Sequence, residues 1–197
     1  MKSIYIYGAS GHGLVVADIA KANGYDDIRF IDDGENVHPT FEEIKNDTHI
    51  PIAFGVGNNH VRARLFEKIV QNGLSVITLI HPSAVVSDSV SIGRGSVVMP
   101  NVTVNANASI GEGVILNSGS VIEHECSIEN FVHISPHAAL AGNVKIGAFT
   151  HIGIGSTIIQ NIAIGAHSII GAGSVVLHHI SDHAKAYGVP CKEIKES

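Results

Sequence analysis

The chain has 197 residues, 45% hydrophobic and only 15% charged, with a formal net charge of −6. That length holds one large domain or two small ones with a real buried core. The acidic balance without a Lys/Arg cluster excludes a nucleic-acid binder, and two cysteines exclude a disulfide framework.

In chain order, Ser3 to Tyr7 is a short β-rich run that reads as a strand rather than a leader. No apolar run approaches the roughly 18 residues that span a bilayer, so the expected location is the cytoplasm, away from membranes. Gly8-Ala9-Ser10-Gly11-His12-Gly13 follows, then an apolar-periodic helix over Leu14–Asn23. A second strand, Ile28–Ile31, ends in Asp32-Asp33-Gly34. Residues 35–49 form a loop with at most one helical turn, at Phe41–Lys45. Ile50–Val56 is a third strand closing on Gly57-Asn58-Asn59, with Asn58 or Asn59 as the cap of a helix over His60–Asn72 that Gly73 stops. Val76–Ile80 reads as a fourth strand. Alternating strands and helices of this length predict a small parallel sheet of Rossmann-like type over residues 1–80.

The glycine turn lies between a strand and a helix, where backbone N–H groups and the helix dipole favour an anion. Asp32 and Asp33 sit about 20 residues on, where a carboxylate commonly meets ribose hydroxyls. The glycine spacing departs from G-x-G-x-x-G and the unit lacks the second half of a dinucleotide fold. A mononucleotide or nucleotide sugar therefore fits better than a dinucleotide.

From Ile80 to Val176 every sixth residue is Ile, Leu or Val. Neither a helix nor a plain strand has that period, whereas a hexapeptide parallel β-helix does. Three hexads make one coil, so residues 18 apart stack at roughly 4.8 Å. Residues 81–197 are thus expected to form an all-β solenoid closed by a C-terminal covering segment. Cys126 falls on an inward small-residue position and reads as a buried structural thiol. His38, His49, His60, His81, His178, His179 and His183 read as solvated loop residues. His133 and His151 should stack, while His124, half a coil from His133, points to the other side of its prism. His124 is the one histidine of the repeat flanked by carboxylates, in Glu123-His124-Glu125, which suits a general base. Gly142, one coil later at the same edge, offers a bare backbone N–H to a developing oxyanion. An ordinary polar corner remains the alternative.

These residues resemble the bacterial nucleotide-sugar acyltransferases, closest to the UDP-4-amino-sugar N-acetyltransferases of the bacillosamine pathway. The resemblance is carried by Tyr5 to Gly13, Asp32-Asp33, Gly57-Asn58-Asn59, Val121 to Cys126, Ala141 to Gly147 and Gly188-Val189-Pro190. It implies a left-handed coil, a homotrimer with sites between subunits, and acetyl-CoA as co-substrate without a metal. It further implies His124 as general base oriented by Glu125. Ser10, Gly11, His12, Asp32, Asp33 and Gly57 would hold a UDP-amino-sugar, while His133, Ile154 and the Ala172 backbone would line the acetyl-CoA channel. The implied reaction acetylates the C4 amine of a UDP-4-amino-4,6-dideoxy-N-acetylhexosamine. Three rivals stand beside it: a sialic-acid-type sugar O-acetyltransferase, a zinc lyase of the γ-carbonic anhydrase type, and a non-catalytic sugar-nucleotide sensor.

Overall fold

The computed structural model describes residues 1–194. The expected covering segment ran to residue 197, and its last three positions lie outside the described residues. The N-terminal part runs β1 (Ser3–Tyr7), α1 (Gly11–Ala22), β2 (Asp27–Ile31), α2 (Phe41–Ile44), β3 (Ile52–Phe54) and α3 (Asn59–Gln71). Its three strands form a parallel sheet in the order β2-β1-β3. The glycine turn is shorter than the sequence reads, because Gly11, His12 and Gly13 already form the first turn of α1. That helix starts hard against the strand: a side chain on Gly13 would place its Cβ 2.0 Å from the Gly8 carbonyl oxygen. Gly8 itself turns the chain at φ +109°, where a side chain would be strained. Of the two candidate caps for α3, Asn58 accepts from the Val61 N–H at 3.0 Å.

Val76 bridges to Ile52 in the N-terminal sheet, but Leu79–Ile80 already pairs with Val97–Val98. From there a left-handed parallel β-helix of about six coils follows. Its three faces are sheets of two-residue strands starting at Leu79–Ile80, Val85–Val86 and Ser91–Ile92. The hexad aliphatics point inward and are buried from Val98 onward. Ile80, on the first coil, is 37% exposed because only the N-terminal part lies beneath it. The chain turns at each corner through a left-handed residue, and these recur without a gap at every sixth position from Gly95 to Gly173.

The slim inward residues have a repeating use. The side chains of Thr78, Ser96, Cys126, Thr150 and Ser156 each donate to the main-chain carbonyl 15 residues on. Cys126 is therefore a buried thiol doing what a hydroxyl does on other coils. Ser120 breaks the pattern: it is fully buried and its Oγ has no partner. After Val176 the chain covers the open end with more strand than the sequence suggests. Lys185–Tyr187 adds to the first face parallel to Ile169–Ile170, and Lys192–Glu193 pairs back on it antiparallel.

One side chain joins the two parts. Arg62 of α3 is 1% exposed and meets no carboxylate among the described residues. Its Nε donates to the Gly113 carbonyl at 2.6 Å, Nη1 to those of Val56 and Gly57, and Nη2 to Asn59 Oδ1 and the Phe131 and Val132 carbonyls. Burial pulls its guanidinium down to about 9. Asn59 extends the joint to the Phe149 and Thr150 carbonyls. Aromatic rings finish it: Phe66 meets Phe131 edge-on at 5.6 Å, and His60 stacks on Phe149 at 4.9 Å. His60 is exposed as expected, but it lies in the first turn of α3 rather than in a loop and stacks one face on the joint.

Two expectations follow from this packing. Replacing Arg62 with Ala strands several buried carbonyls and should cost about 3 kcal/mol or more in urea unfolding; a loss under 1 kcal/mol would mean the joint is not held by this residue. Replacing Ser120 with Ala removes an unpaired buried hydroxyl and should raise stability by about 1 kcal/mol, read as a higher denaturation midpoint. A lower midpoint would reveal a partner for that hydroxyl.

Candidate active site

The structure sorts the candidate residues into three places. The first is the carboxyl end of the N-terminal sheet, where Ser10 and Gly11 open α1, Asp32 and Asp33 end β2, and Gly57 follows β3. A cleft of about 170 Å³ lies here, lined by Tyr7, Gly8, Asp32, Asp33, Gly34, Val56, Val61 and Leu65. Both carboxylates are already engaged. Asp32 accepts from the Ala9 N–H at 3.0 Å and the Gly34 N–H at 2.9 Å, and these bonds hold it below the usual carboxylate range. Asp33 accepts from the Phe41 N–H at 2.8 Å, the Tyr7 hydroxyl at 2.5 Å and Lys68 Nζ at 2.9 Å. Burial pushes Asp33 up, but these donors together outweigh it and keep the group ionised. Tyr7 and Lys68 were invisible as site residues because their only link to Asp33 is spatial. The pair of aspartates acts first as a staple for the loop around the cleft.

The second place is the first face of the solenoid, directly under the N-terminal part. His133 and His151 stack there as expected, with ring centroids 4.7 Å apart and planes 8° from parallel. His12 turns away from the glycine turn toward them, its ring centroid 6.4 Å from that of His133. Burial, with Arg62 beside it, pulls His12 down to about 4. Burial likewise takes His133 to about 3, with the neighbouring His151, Arg62 and His12 adding to it. His151 is lowered by the same burial and by Arg62. All three imidazoles are therefore neutral at pH 7. Ile154 and Ala172 lie at the next corner, one coil apart, both exposed, with the Gly173 N–H donating to the Ile154 carbonyl at 2.8 Å.

The third place is the corner between the second and third faces, across the prism from His133. His124 Nδ1 lies 3.2 Å from Glu125 Oε2. With a carboxylate oxygen accepting there, the imidazole proton lies on Nδ1 and Nε2 keeps its lone pair. Gly142 is the floor under the ring: a Cβ on it would stand 2.6 Å from His124 Cε1 and 2.7 Å from Nε2. Glu125 holds its corner at φ +61°, a conformation that costs a non-glycine residue on the order of 1 kcal/mol. Glu123, the other flanking carboxylate, instead accepts from Asn105 Nδ2 at 2.9 Å. The dyad is open, with the side chains of His124 and Glu125 59% and 62% exposed. The His124–Glu125 corner thus lies across the prism from the first face, where His12, His133 and His151 meet. Among the described residues no group of three or more His, Cys, Asp or Glu is placed to hold a metal ion, and no helix is long and apolar enough to cross a membrane.

Comparison with known proteins gives this arrangement its relatives. The PglD N-terminal domain family matches residues 3–69. The UDP-N-acetylbacillosamine N-acetyltransferase of Bacillus subtilis is 39% identical over 114 residues, which is 50% of this chain and 52% of that protein; the match spans only about half of that relative's length. A variant of the GDP-perosamine N-acetyltransferase of Caulobacter crescentus, solved with CoA and GDP-perosamine, superposes with a TM-score of 0.95 at 33% identity, covering 98% of this chain and 97% of the other. The acetyltransferase domain of PglB from Neisseria gonorrhoeae, solved with acetyl coenzyme A, gives 0.92 at 37% identity over 98% and 99% of the two chains. The chain belongs to the hexapeptide-repeat, left-handed β-helix family of sugar N-acetyltransferases.

Proposed function

We propose that the protein transfers acetyl from acetyl-CoA to the C4 amine of a UDP-4-amino-4,6-dideoxy-N-acetylhexosamine, giving UDP-N,N′-diacetylbacillosamine for bacterial glycan synthesis. The observation that carries this reading is the corner dyad, a histidine whose Nδ1 is held by a carboxylate and whose ring lies over a glycine one coil away. In the proposed reaction the amine nitrogen attacks the thioester carbonyl carbon while His124 Nε2 takes a proton from it. Glu125 steadies the imidazolium that forms, and the Gly142 N–H faces the developing oxyanion. The tetrahedral intermediate collapses with loss of the C–S bond, and the proton passes from His124 to the leaving CoA sulfur. An amine freed of its proton is nucleophilic enough that no acyl-enzyme is required.

Residues 1–80 present the nucleotide sugar, through Ser10, Gly11, His12, Asp32, Asp33 and Gly57, and residues 81–197 carry the transfer. His133, Ile154 and the Ala172 backbone line the acetyl-CoA channel.

Because the dyad's corner lies across the prism from His133 on the first face, a site that joins the two needs a neighbouring chain, and we infer a homotrimer. The second face supports this with an outward column of mostly apolar side chains 18 residues apart, Val85, Thr103, Val121, Ala139, Thr157 and Val175. Val85 is 66% exposed in the single chain. Two free, buried cysteines suit the reducing cytoplasm.

A thiol-release assay with acetyl-CoA and a panel of UDP-amino-sugars, amine-free UDP-sugars, GDP-amino-sugars and sialic acid tests the reading. CoA should appear only with the 4-amino UDP-sugars; turnover of hydroxyl acceptors would move the protein to the O-acetyl class. His124→Ala should lower kcat by roughly 10²–10⁴-fold with nucleotide binding intact, and a smaller loss would remove the histidine from its role. Gly142→Ala, whose methyl group would displace the imidazole, should lower kcat by at least about tenfold while leaving the denaturation midpoint near wild type. An unchanged kcat there would mean that the His124 ring works elsewhere.

A further inference from the structure

The polar window on the first face is two coils tall. His133 pairs with Asn117 and His151 pairs with Ser135, each partner 16 residues earlier. The coils on either side are apolar or bare, with Met99 and Ile115 below and Gly153 and Ile169 above. The lower pair carries information that the upper one does not. Asn117 Oδ1 accepts from the Ser118 main-chain N–H at 2.9 Å, so its NH₂ group is the end that faces His133 Nε2 at 3.1 Å. Turning the amide over would set its NH₂ against the Ser118 N–H, donor against donor. Nε2 of His133 must therefore carry a lone pair, and the proton of the neutral ring sits on Nδ1. Ser135 imposes no such choice on His151, because a hydroxyl donates or accepts equally well.

We propose that Asn117 is a positioning residue for acetyl transfer: it locks His133 as the tautomer with its proton on Nδ1 and its lone pair on Nε2. The proposal rests on the reading of His133 as part of the acetyl-CoA channel. The lock matters because a free imidazole presents either a proton or a lone pair to its neighbours, and a channel wall that alternates between the two does not hold a thioester in one place. The surroundings favour the neutral ring from every side. His151 on the next coil, His12 of α1 and Arg62 of α3 face it, and all are basic groups.

The test is long-range ¹H–¹⁵N correlation spectroscopy on the full chain labelled at histidine nitrogen, with the His133 signals identified by their loss in His133→Gln. Wild-type protein at pH 7 should show His133 with a protonated Nδ1 and a bare Nε2. Asn117→Ser copies the Ser135 pair of the next coil and should fold, yet bring the two nitrogen shifts toward one another. Asn117→Asp should invert the tautomer, with Nε2 now donating to the carboxylate. Alongside, Asn117→Ser should raise KM for acetyl-CoA by roughly tenfold, the size of one lost hydrogen bond, with kcat changing less than KM. A wild-type His133 protonated on Nε2, or doubly protonated at pH 7, overturns the lock without recourse to any variant. So do nitrogen shifts that Asn117→Ser leaves unmoved. Shifts that move while KM stays constant overturn its role in transfer. Wild-type protein that releases no CoA with any acceptor overturns the acetyltransferase reading itself, and is told apart by a His133 spectrum that still shows the lock.

Discussion

Everything in the solenoid depends on a backbone constraint: one residue in six must adopt the left-handed conformation. Glycine and asparagine do this cheaply, and they hold most of the corners, as at Gly95, Asn101, Asn107, Gly113 and Gly119. The corners held by other residues are Glu125, Phe131, His137, Phe149, His167 and His183. Such positions are strained, and strain persists where the surrounding structure over-determines it. Glu125 is half of the corner dyad. Phe131, Phe149, His167 and His183 stack as a column of rings, with successive centroids 5.4, 4.9 and 4.9 Å apart, and α3 lies against that column through Phe66 and His60. The costly corners thus coincide with the candidate site and the domain joint, except for His137, whose ring lies over Gly119.

How much of this could be read from the sequence follows from which interactions leave a pattern in residue types. The hexad aliphatics did, because a buried position repeating every six residues requires a particular kind of side chain. The stacking of His133 on His151 and the placing of Gly142 under His124 followed from the 18-residue coil alone. The Arg62 joint left no trace. A guanidinium bonded to six acceptors, five of them main-chain carbonyls, has no partner residue type to search for. The stacking of exposed His60 was hidden because its ring partners are 89 and 107 positions away. Tyr7, Lys68 and Asn117 were missed for the same reason. The terminal strand Lys185–Tyr187 was missed because it joins the first face 16 residues after its neighbour rather than 18, off the period that makes the other strands legible.

The joint ties the N-terminal part to the solenoid. Arg62 reaches carbonyls on both sides of the boundary, and the three buried imidazoles beneath it stay neutral through the same burial that pulls Arg62 down to about 9. Low dielectric and a nearby cation act together here: each makes a second positive charge more expensive. The interface therefore combines one permanent charge with several groups that carry none, and its polar atoms are satisfied mostly by main chain. Such an interface tolerates change in the residues around it better than a web of side-chain ion pairs would, since its acceptors survive most substitutions.

The coil also acts as a ruler. Each turn uses 18 residues and advances the chain by roughly 4.8 Å, so the height of any corner above the N-terminal part comes in whole steps. An insertion of one or two residues would throw every later aliphatic out of the core, whereas gain or loss of an entire coil would leave each side chain facing as before. Divergence along such a scaffold is quantised. The span between the Gly57 loop and the capped end changes by single coils or not at all, and every groove along the edge lengthens or shortens in the same steps.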